Sequence, residues 1–578
     1  MRATPWIALA ALATAALAMG CGEDSLSRGL GHGWADVGED ADDGPADDAE
    51  GSTGASAEAC ADLELAALDV LEVHCAGCHT PGDTAVAGFD HLHELDRLVT
   101  EGKILPGAAH ESSLFTAMLS GAMPPPSVAA KPTDADIELV RLWIDDCVEV
   151  PPCQPDHTLG IDGMLAAMRT DITDPARVDL EDRRFVRYLS LAHLYDAGLC
   201  GPALDPQRRA LAKAVNSLSR GTQVVAPVAV NAERTIFRID LRDYEWSAGT
   251  WAAIVAASPY ALEYTREEAF DLKAFTETPV PMVRGDWLAA MATAPPLYHE
   301  ILELPTSRFA LEAELDVDVL GDVAADRATR AGVLASAMAT NNRLVQRHEV
   351  PGTGGRAYWL SYDFASATGT ANLLAHPLDF VADVRLHVFT LANGMLAYLV
   401  TDGLGDRLDH VPDDVAIDPL EPDGDVVNGR SCLRCHDRGI VPTTDELRAH
   451  VDASFELDAA TKEKVERVHP APAEFLELQE LDAASYARAL ARAGVPVAVE
   501  EPIGAVFERY AEDVDLAHAA AELGISTDQL LVEIGGLSAE LQPLAAAGIP
   551  RDVFAAGFAA AACELGLGHT SACPAPVD

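Results

Sequence analysis

The chain is short of positive charge. Lys and Arg number 40 against 92 Asp and Glu in 578 residues, a formal net charge of −52. Such a surface repels phosphate backbones, which excludes nucleic acid as a partner. It also offers no polybasic patch for anionic lipid headgroups. What it suits is solubility, or a basic protein partner. A long apolar run is missing as well: the stretch at residues 6–19 is too short to span a bilayer. Residues 154–425 lack G-x-S-x-G, H-E-x-x-H and any glycine-rich phosphate loop. That removes the reaction classes built on those motifs. What is present is 49% hydrophobic content, enough for large cores, on a length that suggests three or four domains.

Two short segments stand out. Cys75-Ala76-Gly77-Cys78-His79 and Cys432-Leu433-Arg434-Cys435-His436 both read C-x-x-C-H, the attachment signature of c-type haem. Two cysteines three apart lie on one side of a helical turn, so both thiols reach the two vinyl groups. The histidine that follows aims its imidazole at the iron. A zinc site needs a second ligand pair at short spacing, and neither copy has one. A thioredoxin-type pair would follow a βαβ pattern and needs no trailing histidine. The expected cofactor is therefore haem c, two copies covalently attached, with Cys75, Cys78, Cys432 and Cys435 as thioether donors and His79 and His436 as iron ligands.

Residues 1–20 carry one early arginine and an apolar run, the pattern of a secretory signal. The segment ends Leu17-Ala18-Met19-Gly20-Cys21, which resembles the lipobox of bacterial lipoproteins, with Met19 an unusual residue for it. The resemblance implies acyl chains on Cys21 and anchoring to a membrane without a spanning helix. Gly22 is not the aspartate that retains some lipoproteins at the inner membrane, so the expectation is the outer one. Residues 21–59 are acidic, small and polar, and are expected to form a disordered tether.

Residues 60–150 are expected to be all-α. Amphipathic stretches at 63–73 and 134–147 flank Lys103-Ile104-Leu105-Pro106-Gly107, Ser112-Ser113 and Gly121-Ala122-Met123-Pro124-Pro125. In this order, with Trp143-Ile144 on the closing helix, the segment resembles a bacterial class I cytochrome c domain. That resemblance implies Met123 as the sixth iron ligand. A His/Met pair fills both axial positions, which suits electron transfer over oxygen chemistry. Setting aside the four haem thiols and Cys21, six of the eleven cysteines remain. Six allow 15 connectivities. Pairing within local units gives Cys60–Cys147, Cys153–Cys200 and Cys563–Cys573.

Residues 154–425 are expected to be an α+β domain in an otherwise mainly α, multidomain chain. Helices are expected at 185–199 and 208–218, strands at 235–241 and 356–364, and a hairpin over 384–400 around Asn393-Gly394. The order Tyr188-Leu189-Ser190, Thr235 to Asp240, Pro295-Pro296-Leu297-Tyr298, Ala375-His376-Pro377-Leu378, Asn393-Gly394 and the second C-x-x-C-H resembles large exported cytochrome c proteins of bacteria. That family continues with Leu where this chain has Met395. The resemblance supports haem and export and names no substrate.

Residues 426–578 hold the second motif and a helical tail, with no Met-Pro-Pro segment after His436. Candidates for the sixth position of that haem are His376, Met395, His450 and His469, or none. His376 leads because it precedes Pro377 within the family-like segment. Three readings follow: an electron carrier passing single electrons to an unidentified redox protein, a dihaem enzyme with a reactive second haem, or a ligand-binding module with accessory haem.

Overall fold

The computed structural model describes residues 57–79, 92, 95–100, 103–107, 109–125, 128, 131–148, 158–334, 339, 341–418, 421, 423–496, 501–570 and 573. The signal segment, Cys21, most of the tether and Cys153 lie outside the described residues.

Thr133 accepts from the Asp136 N–H while Asp136 reaches back to Thr133, a capping box that starts a helix at Asp134. Helix α1, Ala57–His74, runs into α2, Ala76–His79, and both belong to a unit closed by α3, Asp134–Asp146. Leu71, Phe115, Met118, Val140, Trp143 and Ile144 are buried between them. The Cys60–Cys147 disulfide ties the start of α1 to the end of α3. No strand occurs among the described residues of this unit.

A second, larger core is built from residues on both sides of position 425, running from Ile161 to Leu567. It holds two sheets. In the first, β1 (Val186–Ser190) pairs antiparallel with β3 (Ile236–Asp240) and parallel with β4 (Met282–Arg284), while β2 (Val228–Ala229) edges β3. The helix expected at 185–199 is therefore wrong over its first half. All five residues of β1 are buried, and an apolar run covered on both faces has no period that separates strand from helix. The expected strand at 235–241 is β3, and the expected helix at 208–218 is α4, Asp205–Ser217.

The second sheet is an antiparallel meander: β5 (Thr329–Val333), β6 (Arg343–Glu349), β7 (Ala357–Asp363), β8 (Val384–Thr390), β9 (Leu396–Asp402) and β10 (Arg407–Leu408). Strands β8 and β9 are the expected hairpin, and Gly394 at φ +93° makes its turn. The tail then wraps the core. Helix α5, Arg430–Cys435, carries the second motif; α6, Pro472–Arg492, covers the meander; α7, Pro502–Ala511, packs on α4. At the end, the Cys563–Cys573 disulfide turns the chain so that Gly568 pairs with Tyr264. Cys200 is also disulfide-bonded. The chain is thus multidomain and mixed α/β, and no helix among the described residues is long and apolar enough to cross a membrane.

Candidate haem-attachment sites

Both C-x-x-C-H segments close in the same way. The His79 N–H donates to the Cys75 carbonyl at 3.1 Å, and the His436 N–H donates to the Cys432 carbonyl at 2.9 Å. Each motif is therefore one helical turn with its histidine at the C-terminal end. Cys75, Cys432 and Cys435 are thiols, not disulfides. Burial pushes the Cys75 thiol up to about 11, so it rests protonated against the core of its unit. Cys78 lies on α2, and its side chain is outside the described residues.

Met123 is 42% exposed. Its N–H donates to the Ala117 carbonyl at 2.9 Å, and Lys131 Nζ braces the carbonyls of Pro124 and Pro125. The loop is thus held while the thioether stays outside the core. Met118, five residues earlier on the helix Ser113–Leu119, is 3% exposed and packs inside it. Sequence reasoning did not weigh Met118.

The second motif is the better defined. His436 Nδ1 lies 2.9 Å from the Gly439 carbonyl, so the protonated nitrogen donates there and Nε2 is left with the lone pair. Burial, helped by the charge of Arg343, pushes the imidazole down to about 4 against the pull of that carbonyl, keeping it neutral. Gly439 can do this because it sits at φ +108°, where a Cβ would come 3.1 Å from Ala483 Cα. A carbonyl orienting an imidazole by its other nitrogen is the usual support for a metal-ligating histidine.

The motif helix is clamped from two sides. Arg434 reaches Asp418 at 2.6 Å and Glu421 at 2.5 Å, and Arg430 pairs with Glu421 through two hydrogen bonds while covering the Phe507 ring. Both carboxylates are buried. On the other side the Tyr398 ring packs against the His436 ring, centroids 5.6 Å apart. The Tyr398 hydroxyl is buried with no hydrogen-bond partner among the described residues. Below it Lys213 Nζ meets Glu501 Oε1 at 2.6 Å, both buried. Desolvation lowers the Lys213 affinity for its proton, and the Glu501 carboxylate more than offsets this, so the ammonium stays charged.

The histidine expected as sixth ligand, His376, lies in the loop before β8, with Nδ1 3.2 Å from Asp379 Oδ1. Met395 is fully buried in the turn of the β8–β9 hairpin, and His450 is exposed. His469 is buried with Nδ1 on Asp445. Tyr398, Gly439 and the Arg434 clamp were missed in the sequence. Only Gly439 left a signal there, as a glycine three residues past the motif.

The donor set fits a covalently attached haem at the second site. Two thiols and a neutral imidazole share one turn, with the proton held on Nδ1 and the Tyr398 hydroxyl, unpaired among the described residues, buried alongside. No family model, no curated protein and no solved structure matches the chain.

Proposed function

We propose that the chain is an exported, lipid-anchored dihaem c-type cytochrome that carries single electrons. Haem c at Cys75, Cys78 and His79, with Met123 completing the coordination, would sit in an all-α, class I cytochrome c-like unit at residues 60–150. A second haem c would be held by Cys432, Cys435 and His436. The observation that carries the reading is the hydrogen bond from His436 Nδ1 to the Gly439 carbonyl. It leaves the ring atom that binds iron unprotonated, directly after two thiols on one helical turn.

Bound haem supplies one-electron exchange at its iron. The chain's part is to hold and bury it. The Gly439 carbonyl keeps the proton on Nδ1. Tyr398 packs the ring in place, and the Arg434 and Arg430 ion pairs fix the helix that carries both thiols. Export through residues 1–20 and acylation of Cys21 would place the protein on the periplasmic or outer face of the membrane, on a tether with an acidic surface suited to a basic redox partner.

The test is the full chain, matured in a host that attaches haem c. Intact mass should show two haem adducts, and the reduced spectrum should not change under carbon monoxide. No adduct would overturn the reading. One haem that binds carbon monoxide would replace the carrier by a dihaem enzyme.

A further inference from the structure

The meander has one face that is covered and one that is left open in its middle. Side chains of residues paired across an antiparallel sheet lie on the same face. Tyr398, Val388, Trp359 and Arg347 are paired in succession across β9, β8, β7 and β6, so they form one row. His436 rests on the Tyr398 end of that row. The next row on the same face runs from Ala331 on β5 to Val400 on β9, both buried, through Val345, Ser361 and Leu386 across β6, β7 and β8. Those middle three are only half-buried, and so is Val388 beside them. On the reverse face of the same strands Leu344, Gln346, Leu360 and His387 are all buried. The row after that is Arg343 and Asp363, whose charged atoms lie 2.7 Å apart as an ion pair. Arg343 Nε is buried and has no hydrogen-bond partner among the described residues.

A half-covered patch in the centre of a sheet, apolar at Val345, Leu386 and Val388 around Ser361 and lying between two buried clusters, has room for a cover. Three strands at ~4.8 Å spacing span about 10 Å, the width of a porphyrin ring. The group expected next to it is the one His436 would ligate. We propose that the row Val345–Ser361–Leu386 is the bed on which the second haem packs, and that Arg343, at its far edge, holds a haem propionate. This rests on the dihaem reading above and adds the residues outside the motif that bind the group. A planar apolar ring covers the valine and leucine side chains. A carboxylate at its rim meets a guanidinium that has a donor to spare.

The experiment uses the full chain matured with haem, as wild type, Leu386→Trp and Arg343→Gln. Peptide mass over the second motif is measured first in the wild type. No adduct there defeats the dihaem reading and this inference with it. With the wild-type adduct present, Leu386→Trp should lower the fraction of chains carrying a second haem at least tenfold, with the first adduct and the thermal melting of the haem-free chain unchanged. Normal loading of a folded Leu386→Trp overturns the bed while leaving the dihaem reading intact. Arg343→Gln leaves the bed in place and removes the positive charge. The second haem should then favour its oxidised form about tenfold more at a given potential, a drop of about 59 mV for a one-electron couple, and the first haem should not move. An unchanged second potential overturns the role of Arg343.

Discussion

His387 is enclosed on the covered face of the meander, with Nδ1 2.7 Å from the Tyr358 hydroxyl and Nε2 3.0 Å from Thr401 Oγ1. Burial, with Arg308 and Arg385 adding to it, pushes the imidazole down to about 3. The folded chain therefore keeps it neutral, while the unfolded chain protonates it below the ordinary value of ~6.5. Its contribution is fully present above that value and is lost as pH falls toward 3. At pH 5 the loss is about 2 kcal/mol at 1.36 kcal/mol per pH unit. His387→Gln should reduce the difference in unfolding free energy between pH 7 and pH 5 by about that amount, read by urea titration. At the same scale the two methionines of the first unit can be told apart. Met123→Leu should open the first haem to carbon monoxide in every molecule, and Met118→Leu should leave its spectrum unchanged. The reverse result would assign the iron to the methionine already inside the core.

Helix α7 begins on Glu501, whose Oε2 accepts from the Gly504 N–H at 2.5 Å while Oε1 pairs with Lys213 on α4. One carboxylate thus caps one helix and neutralises another. Glu501→Gln leaves a buried ammonium without its counter-charge, which costs about 3–5 kcal/mol. Equilibrium denaturation should show this, and Lys213→Met in the same chain should recover most of it. The turn after the second motif is set by Gly439. Gly439→Ala puts a side chain at positive φ and against Ala483 Cα, a strain of about 1–3 kcal/mol. It should lower stability by that amount and alter the spectrum of the second haem, because the carbonyl that orients His436 moves with it.

The core of the first unit is separate from the large core, which predicts two calorimetric transitions for the whole molecule. Replacing both Cys60 and Cys147 by Ser should destabilise the first unit by about 2–5 kcal/mol and leave the transition of the larger core in place. The elements written in strong local code were legible in the sequence. The Asn393-Gly394 hairpin, the capped helix at Asp134, two of the disulfides and both motif turns depend on residues close to one another or on simple pairing within a unit. Strand β1 was not legible, because a segment buried on both sides loses the alternation that marks a strand. The sequence by itself determined where two thiols and an imidazole share a turn, since that spacing is covalent. Only the tertiary structure decided what stands around them. The Gly439 carbonyl follows from one backbone torsion, while Tyr398 comes to His436 on a strand whose place is set by sheet register, which pairs residues far apart in the chain.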